Sequence, residues 1–171
     1  MVALRTQGLR ENWDVTTEDE RMFRAWLAGF WDGEGTFAAS YVKEHTWHKE
    51  IAYSTVRPIA SLFNTVREPL EAVKLYFDFG WLGQQKQTKS WHKPVFKYAV
   101  QGRLAVIVAY VLLPYLRVKR PQAEILANWH WKTVGQKPRL VAGNVKDNIG
   151  HAIQMAAHKK LHELNKRGVA G

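Results

Sequence analysis

Two carboxylates, Asp32 and Glu34, end an apolar run and are spaced by glycines: residues 26–35 read W-L-A-G-F-W-D-G-E-G. If the run is a helix, its C-terminus carries partial negative charge from unpaired carbonyls, and each acid there is disfavoured by about 0.3–1 kcal/mol. A cation would reverse the sign. Carboxylate and carbonyl oxygens gathered at one point suit a hard divalent ion such as Mg²⁺ or Ca²⁺. The other reading is that Gly33 and Gly35 form a C-cap and turn with both acids solvated. Spacing alone leaves the two open.

A second electrostatic oddity lies at residues 116–121, L-R-V-K-R-P, where Arg117, Lys119 and Arg120 crowd the start of a helix. Helix N-termini favour anions, so three cations there call for a phosphate nearby. A third is the stretch 81–101, which has no acid; Lys86, Lys89, Lys93 and Lys97 are its only charges, and Trp91 and His92 stand at its turn. Lysines protect strand edges from aggregation, but this one-sidedness favours a nucleic-acid surface. His158 and His162 have the i, i+4 spacing of a helical zinc pair, yet no third ligand is within reach, and an exposed basic helix is the better reading. Phosphate-loop, nucleophile-elbow and dinucleotide fingerprints do not occur.

The elements that must position these residues follow from periodicity. Thr17 and Glu20 form a capping-box pattern that opens a helix running to Asp32. Phe23, Leu27 and Phe30 make its apolar stripe, with Trp26 nearby. Ala25, Gly29 and Gly33 make a second stripe of small residues, which fits close packing against another helix or against the domain's own core. Residues 36–43 and 51–63 read as strands, the second with Tyr53, Thr55, Arg57, Ile59 and Ser61 on one face and Val56, Ala60 and Leu62 on the other. Pro58 predicts a bulge or an edge position. Glu68 and Pro69 open a helix closed by Gly80. Residues 81–87 and 94–101 read as a hairpin, 103–115 as a buried helix, 122–132 as another, and Ile149 begins an amphipathic last helix.

A chain of 171 residues predicts one domain, with a core over about 16–133 and a C-terminal extension over about 134–171. Its net charge of +10 suits a polyanion. Residues 1–35 carry a net −3, so the other 136 carry +13. An acidic island sits in a basic protein. There is no cysteine, hence no disulfide framework or thiolate metal site. The first residues do not resemble a signal peptide, and the longest apolar run, 104–116, is too short for a bilayer. We expect an intracellular chain, cytoplasmic or organellar and not secreted, with no membrane partner and no small-molecule substrate.

Leu27-Ala28-Gly29-Phe30-Trp31-Asp32-Gly33-Glu34-Gly35, followed by hairpin, helix, hairpin and helices, resembles the LAGLIDADG homing endonucleases over about residues 20–130. The resemblance implies an α+β fold, α-β-β-α-β-β-α, whose saddle-shaped antiparallel sheet enters the DNA major groove; here an extra C-terminal helix is added. A single motif is similar to the homodimeric members, whose motif helices pack through small residues; Ala25, Gly29, Asp32 and Gly33 would lie at that interface. The last acid, Glu34, would bind the divalent metal with the Gly33 carbonyl. Mg²⁺ is the implied cofactor, with Mn²⁺ able to substitute and Ca²⁺ binding without cleavage. Lys119 would stand near the scissile phosphate with Arg117 beside it, Asn64 would order water, and Asp32 would cap backbone amides or steady the partner chain.

The implied activity is sequence-specific double-strand cleavage of a long pseudo-palindromic site by an intron- or intein-borne enzyme. Ser40, Tyr53, Thr55, Arg57, Ser61, Gln85, Lys86, Gln87, Lys89, Lys93, Lys97 and Arg120 are the candidate DNA-binding residues. The alternatives on the same fold are an RNA-binding intron maturase and a non-catalytic DNA-binding protein.

Overall fold

The computed structural model describes residues 17–45, 52–86, 93–129 and 149–166. In chain order these form α1 (Glu18–Glu34), β1 (Gly35–His45), β2 (Ala52–Asn64), α2 (Glu68–Phe77), β3 (Trp81–Gln84), β4 (Phe96–Gln101), α3 (Arg103–Leu112), α4 (Arg120–Ala127) and α5 (Ile149–Lys166). The strands make one antiparallel sheet in the order β1-β2-β4-β3. This is the α+β order read from the sequence.

Thr17 caps α1 as its pattern predicts: its hydroxyl accepts from the Glu20 amide at 3.3 Å. The helix runs two residues further than Asp32, because strand β1 starts directly at Gly35 with no intervening turn. Gly35 is needed for space. A Cβ there would lie 2.2 Å from the Trp31 ring, which is itself fully buried. The W-x-x-x-G spacing therefore fixes how α1 meets the sheet.

The buried face of α1 is Arg24, Leu27, Ala28 and Trp31. This corrects the predicted stripe, since Phe23 and Phe30 only border the core and Trp26, stacked on Phe30 and tilted against Phe23, remains 46% exposed. The register from Gly35↔Leu62 to His45↔Ala52 pairs residues one to one, so Pro58 causes no bulge. It is tolerated because β4 ends beside it, at Gln101↔Ile59, leaving its missing amide outside that ladder.

Alternation in β2 sends Val56, Ala60 and Leu62 to the core, together with Phe37, Tyr98 and Val100. Helix α3 is buried nearly all round, as its sequence predicts, but ends at Leu112 rather than at residue 115. Helix α5 packs on β1 and β2, and Asn165 donates to the Phe37 carbonyl at 3.0 Å. It thereby satisfies a carbonyl on an edge strand. Strand β3 ends at Gln84, shorter than the predicted 81–87, and residues 87–92 lie outside the described ones.

Candidate functional site

The end of α1 and the segment 116–119 meet and exchange charge. Asp32 accepts from the Arg117 amide at 2.7 Å and from the Lys119 amide at 2.8 Å, one through each carboxylate oxygen. An anion thus stands at the entry to α4, where the three cations called for one. In return the Lys119 ammonium donates to the carbonyls of Trp31 (3.2 Å), Asp32 and Gly33 (3.4 Å). The negative end of α1 therefore receives a cation from its own chain. Burial lowers the Lys119 pKa, while the Asp32 and Glu34 carboxylates pull the other way.

Asp32 was assigned by resemblance to capping amides or to the dimer interface. Both of its oxygens accept backbone amides of its own chain, which is the capping arrangement. Glu34 differs. It is exposed, and among the described residues its carboxylate has no ion-pair partner. Asn64, at the end of β2, turns its Oδ1 to the Val66 amide at 2.8 Å and so closes a local turn. Arg117 is exposed.

The small stripe of α1 is open. Ala25, Gly29 and Gly33 are all exposed, and a Cβ added to Gly29 or Gly33 meets nothing within 4 Å. Met22 (59%) and Trp26 (46%) extend this surface with exposed apolar area. The domain's own core is therefore not what makes these residues small.

The sheet face away from the helices carries the odd-numbered residues of β2 and their neighbours. Its described side chains include no acid, and Arg57 and Lys97 are its charges. Ser40 and Arg57 face each other across β1 and β2. Lys97 lies 5.1 Å above the Phe63 ring, a cation–π contact that holds the ammonium over the face. Gln85, Lys86 and Lys93 are exposed next to it.

Two of the expected DNA-binding residues stand apart from the exposed part of this face. Ser61 is only 6% exposed between Thr36 and Ala99, because a short side chain on a central strand is covered by its neighbours. Arg120 sits at the start of α4, off the sheet face, and pairs with Glu124 at 3.2 Å. The backbone of Tyr53 and Thr55 belongs to β2, but their side chains, like all of Gln87 and Lys89, lie outside the described residues.

Sequence reasoning missed a third cluster. Arg24, 5% exposed, donates to Glu20 and to the Tyr76 hydroxyl, both at 2.7 Å, and Tyr76 donates to Glu20 at 3.0 Å. Burial pushes the Tyr76 hydroxyl up to about 12. Burial would also raise Glu20, but Arg24, Tyr76 and the Thr17 backbone outweigh it and lower its pKa. The i, i+4 spacing of Glu20 and Arg24 was a readable signal; Tyr76, from another helix, was not.

No protein-family model matches the sequence, and no curated protein matches it. Solved structures do. The homing endonuclease I-CvuI in complex with its target superposes with a TM-score of 0.61 at 23% identity, over 84% of this chain and 82% of that one. The archaeal intron-encoded homing endonuclease I-Vdi141I, complexed with DNA, gives 0.59 at 20% identity, over 89% and 87%. The LAGLIDADG homing endonuclease I-GzeII in complex with its DNA target gives 0.54 at 19% identity, over 78% of this chain and 42% of that one. At these identities the likeness is one of fold.

Proposed function

We propose that this chain, which has the fold of the LAGLIDADG homing endonucleases, is a divalent-metal-dependent, sequence-specific DNA endonuclease that acts as a homodimer on a long pseudo-palindromic site. The observation that carries the reading is the end of α1. There an exposed carboxylate, Glu34, stands beside an ammonium held by helix carbonyls, at one end of a sheet face whose described side chains include no acid.

The donor set fits a hard divalent cation as half a site. Glu34 offers a carboxylate with no ion-pair partner among the described residues, Gly33 offers a helix C-terminal carbonyl, and the Lys119 ammonium already at that carbonyl is consistent with positive charge there. No cluster of three ligating side chains occurs among the described residues, so a second copy of Glu34 and DNA phosphates would complete the coordination. A bound Mg²⁺ supplies polarisation of a phosphate oxygen and acidification of water.

The chain's own residues do the rest. Asp32 holds the 116–119 segment by two amides and so sets where Lys119 stands. Lys119 places positive charge near the transferring phosphate. Arg57, Lys97, Lys86 and Lys93 position the duplex through its backbone, while Ser40, Gln85 and the strand side chains around them meet base edges.

The open Ala25, Gly29, Gly33 stripe supports the homodimer. Glycine in a helix costs about 1 kcal/mol relative to alanine, and a second α1 packed against this face would offset that through close backbone contact.

The test is cleavage of a random-insert plasmid library in Mg²⁺, with the cut ends sequenced. Wild type should yield one recurrent, near-symmetric site and Glu34→Gln none. Equal cutting by Glu34→Gln would remove Glu34 from the metal, and a monomer on DNA by sedimentation would remove the dimer.

A further inference from the structure

Trp81 opens β3 on the sheet face away from the helices and is 53% exposed. Its register partner is Ala99, which pairs with Ser61 and, through it, with Thr36. Three small side chains in that row leave the indole standing above the sheet. The ring leans along its own strand over Gly83: a Cβ on Gly83 would fall 2.3 Å from Cζ2 of Trp81. The absence of a side chain at 83 is therefore what allows a tryptophan to lie there, braced from below and, among the described residues, about half exposed above.

An indole held in place but left bare presents a large apolar surface to something outside the chain. The charge around it says what. In the adjoining row Phe63↔Lys97↔Gly83, Lys97 is held over Phe63, and the described side chains of the face offer only positive charge. The occupant is thus polyanionic, yet exposes an apolar group at side-chain depth. In the major groove of duplex DNA that group is the 5-methyl of thymine.

Resting on the endonuclease reading above, we infer that Trp81 is a specificity-determining residue that reads a thymine in each half-site through contact of its indole with the 5-methyl group. The row Thr36–Ser61–Ala99–Trp81 crosses the sheet two residues from Glu34, which assigns this thymine to the inner part of the half-site rather than to its outer end.

The test starts from the site recovered by selection from a random duplex library. Each thymine is replaced in turn by deoxyuridine, which removes only the methyl, and Kd is measured without Mg²⁺. Wild type should lose about fourfold, the worth of one buried methyl group, at one inner thymine per half-site. Trp81→Ala should bind the thymine site more weakly and no longer distinguish thymine from uracil there, with Trp81→Phe in between. Because the side chain is exposed, the melting temperature of Trp81→Ala should stay near that of wild type. If Trp81→Ala weakens the thymine and uracil duplexes equally, or if no inner thymine responds, Trp81 is not a methyl reader. Failure to select any duplex at all would overturn the endonuclease reading with it.

Discussion

The two ends of α1 each carry a polar cluster, and the clusters differ in what they leave over. At the N-terminal end Glu20, Arg24 and Tyr76 close on one another, with Arg24 almost wholly buried. At the C-terminal end Asp32 and Lys119 close in the same way, but Glu34 faces outward with no described partner. A closed cluster can only hold elements together, here α1 to α2. An open carboxylate beside a held ammonium can act on something brought to it. The same kinds of residue thus hold elements together at one end and leave a carboxylate accessible at the other.

The comparison breaks most sharply at Glu34. Glu34→Gln should cut cleavage by about 1,000-fold, or about 4 kcal/mol of transition-state stabilisation, while shifting unfolding free energy by less than about 0.5 kcal/mol. Cleavage kinetics and denaturant unfolding of the same preparation decide it. Arg24→Ala should do the reverse. Removing the buried guanidinium of this part-buried pair, with its packing and its bonds to Glu20 and Tyr76, costs about 3 kcal/mol, a fall of roughly 6–12 °C in Tm for a chain of this size, with cleavage per folded molecule unchanged.

Asp32→Ala belongs to both ends of the comparison. It leaves two backbone amides without their charged acceptor, at about 2 kcal/mol, and it frees the segment carrying Lys119, so melting temperature and cleavage rate should fall together. Gly29→Ala separates fold from assembly. With nothing within 4 Å of the added Cβ, the helix should gain about 1 kcal/mol while sedimentation shows weaker self-association.

The smallest effect is acid sensitivity at Glu20. Its folded pKa is lowered, so its contribution is present above the unfolded value and lost as pH falls below about 4.5. Glu20→Gln should flatten the stability profile in that window by under about 1 kcal/mol, measured by denaturation across pH.

Much of the fold was legible because it rests on local pattern. The Thr17 cap, the alternation of Val56, Ala60 and Leu62, the Glu68–Pro69 helix start and the all-round apolar α3 came out where periodicity placed them. Misreadings fell where a distant element chose between local options. Phe23 and Phe30 suit a core stripe as well as Leu27 and Trp31 do, and only packing against Phe37 and Tyr98 selects Trp31. Ser61 alternates correctly yet is covered by its strand neighbours, and no property of serine announces that.

What the sequence determined by itself was the inventory: an acid pair at a helix end, three cations at a helix start, a stripe of small residues and an acid-free hairpin. Each is a local statement, and each left an electrostatic or steric debt without a creditor. The tertiary structure decided who answers whom. Residues 85 and more positions apart meet so that Asp32 serves the amides of Arg117 and Lys119, and Lys119 serves the carbonyls of α1. Charge interactions depend on distance in space and on burial, neither of which chain order specifies, and that is why one of the two acids was withdrawn into the fold while Glu34 was left to face outward.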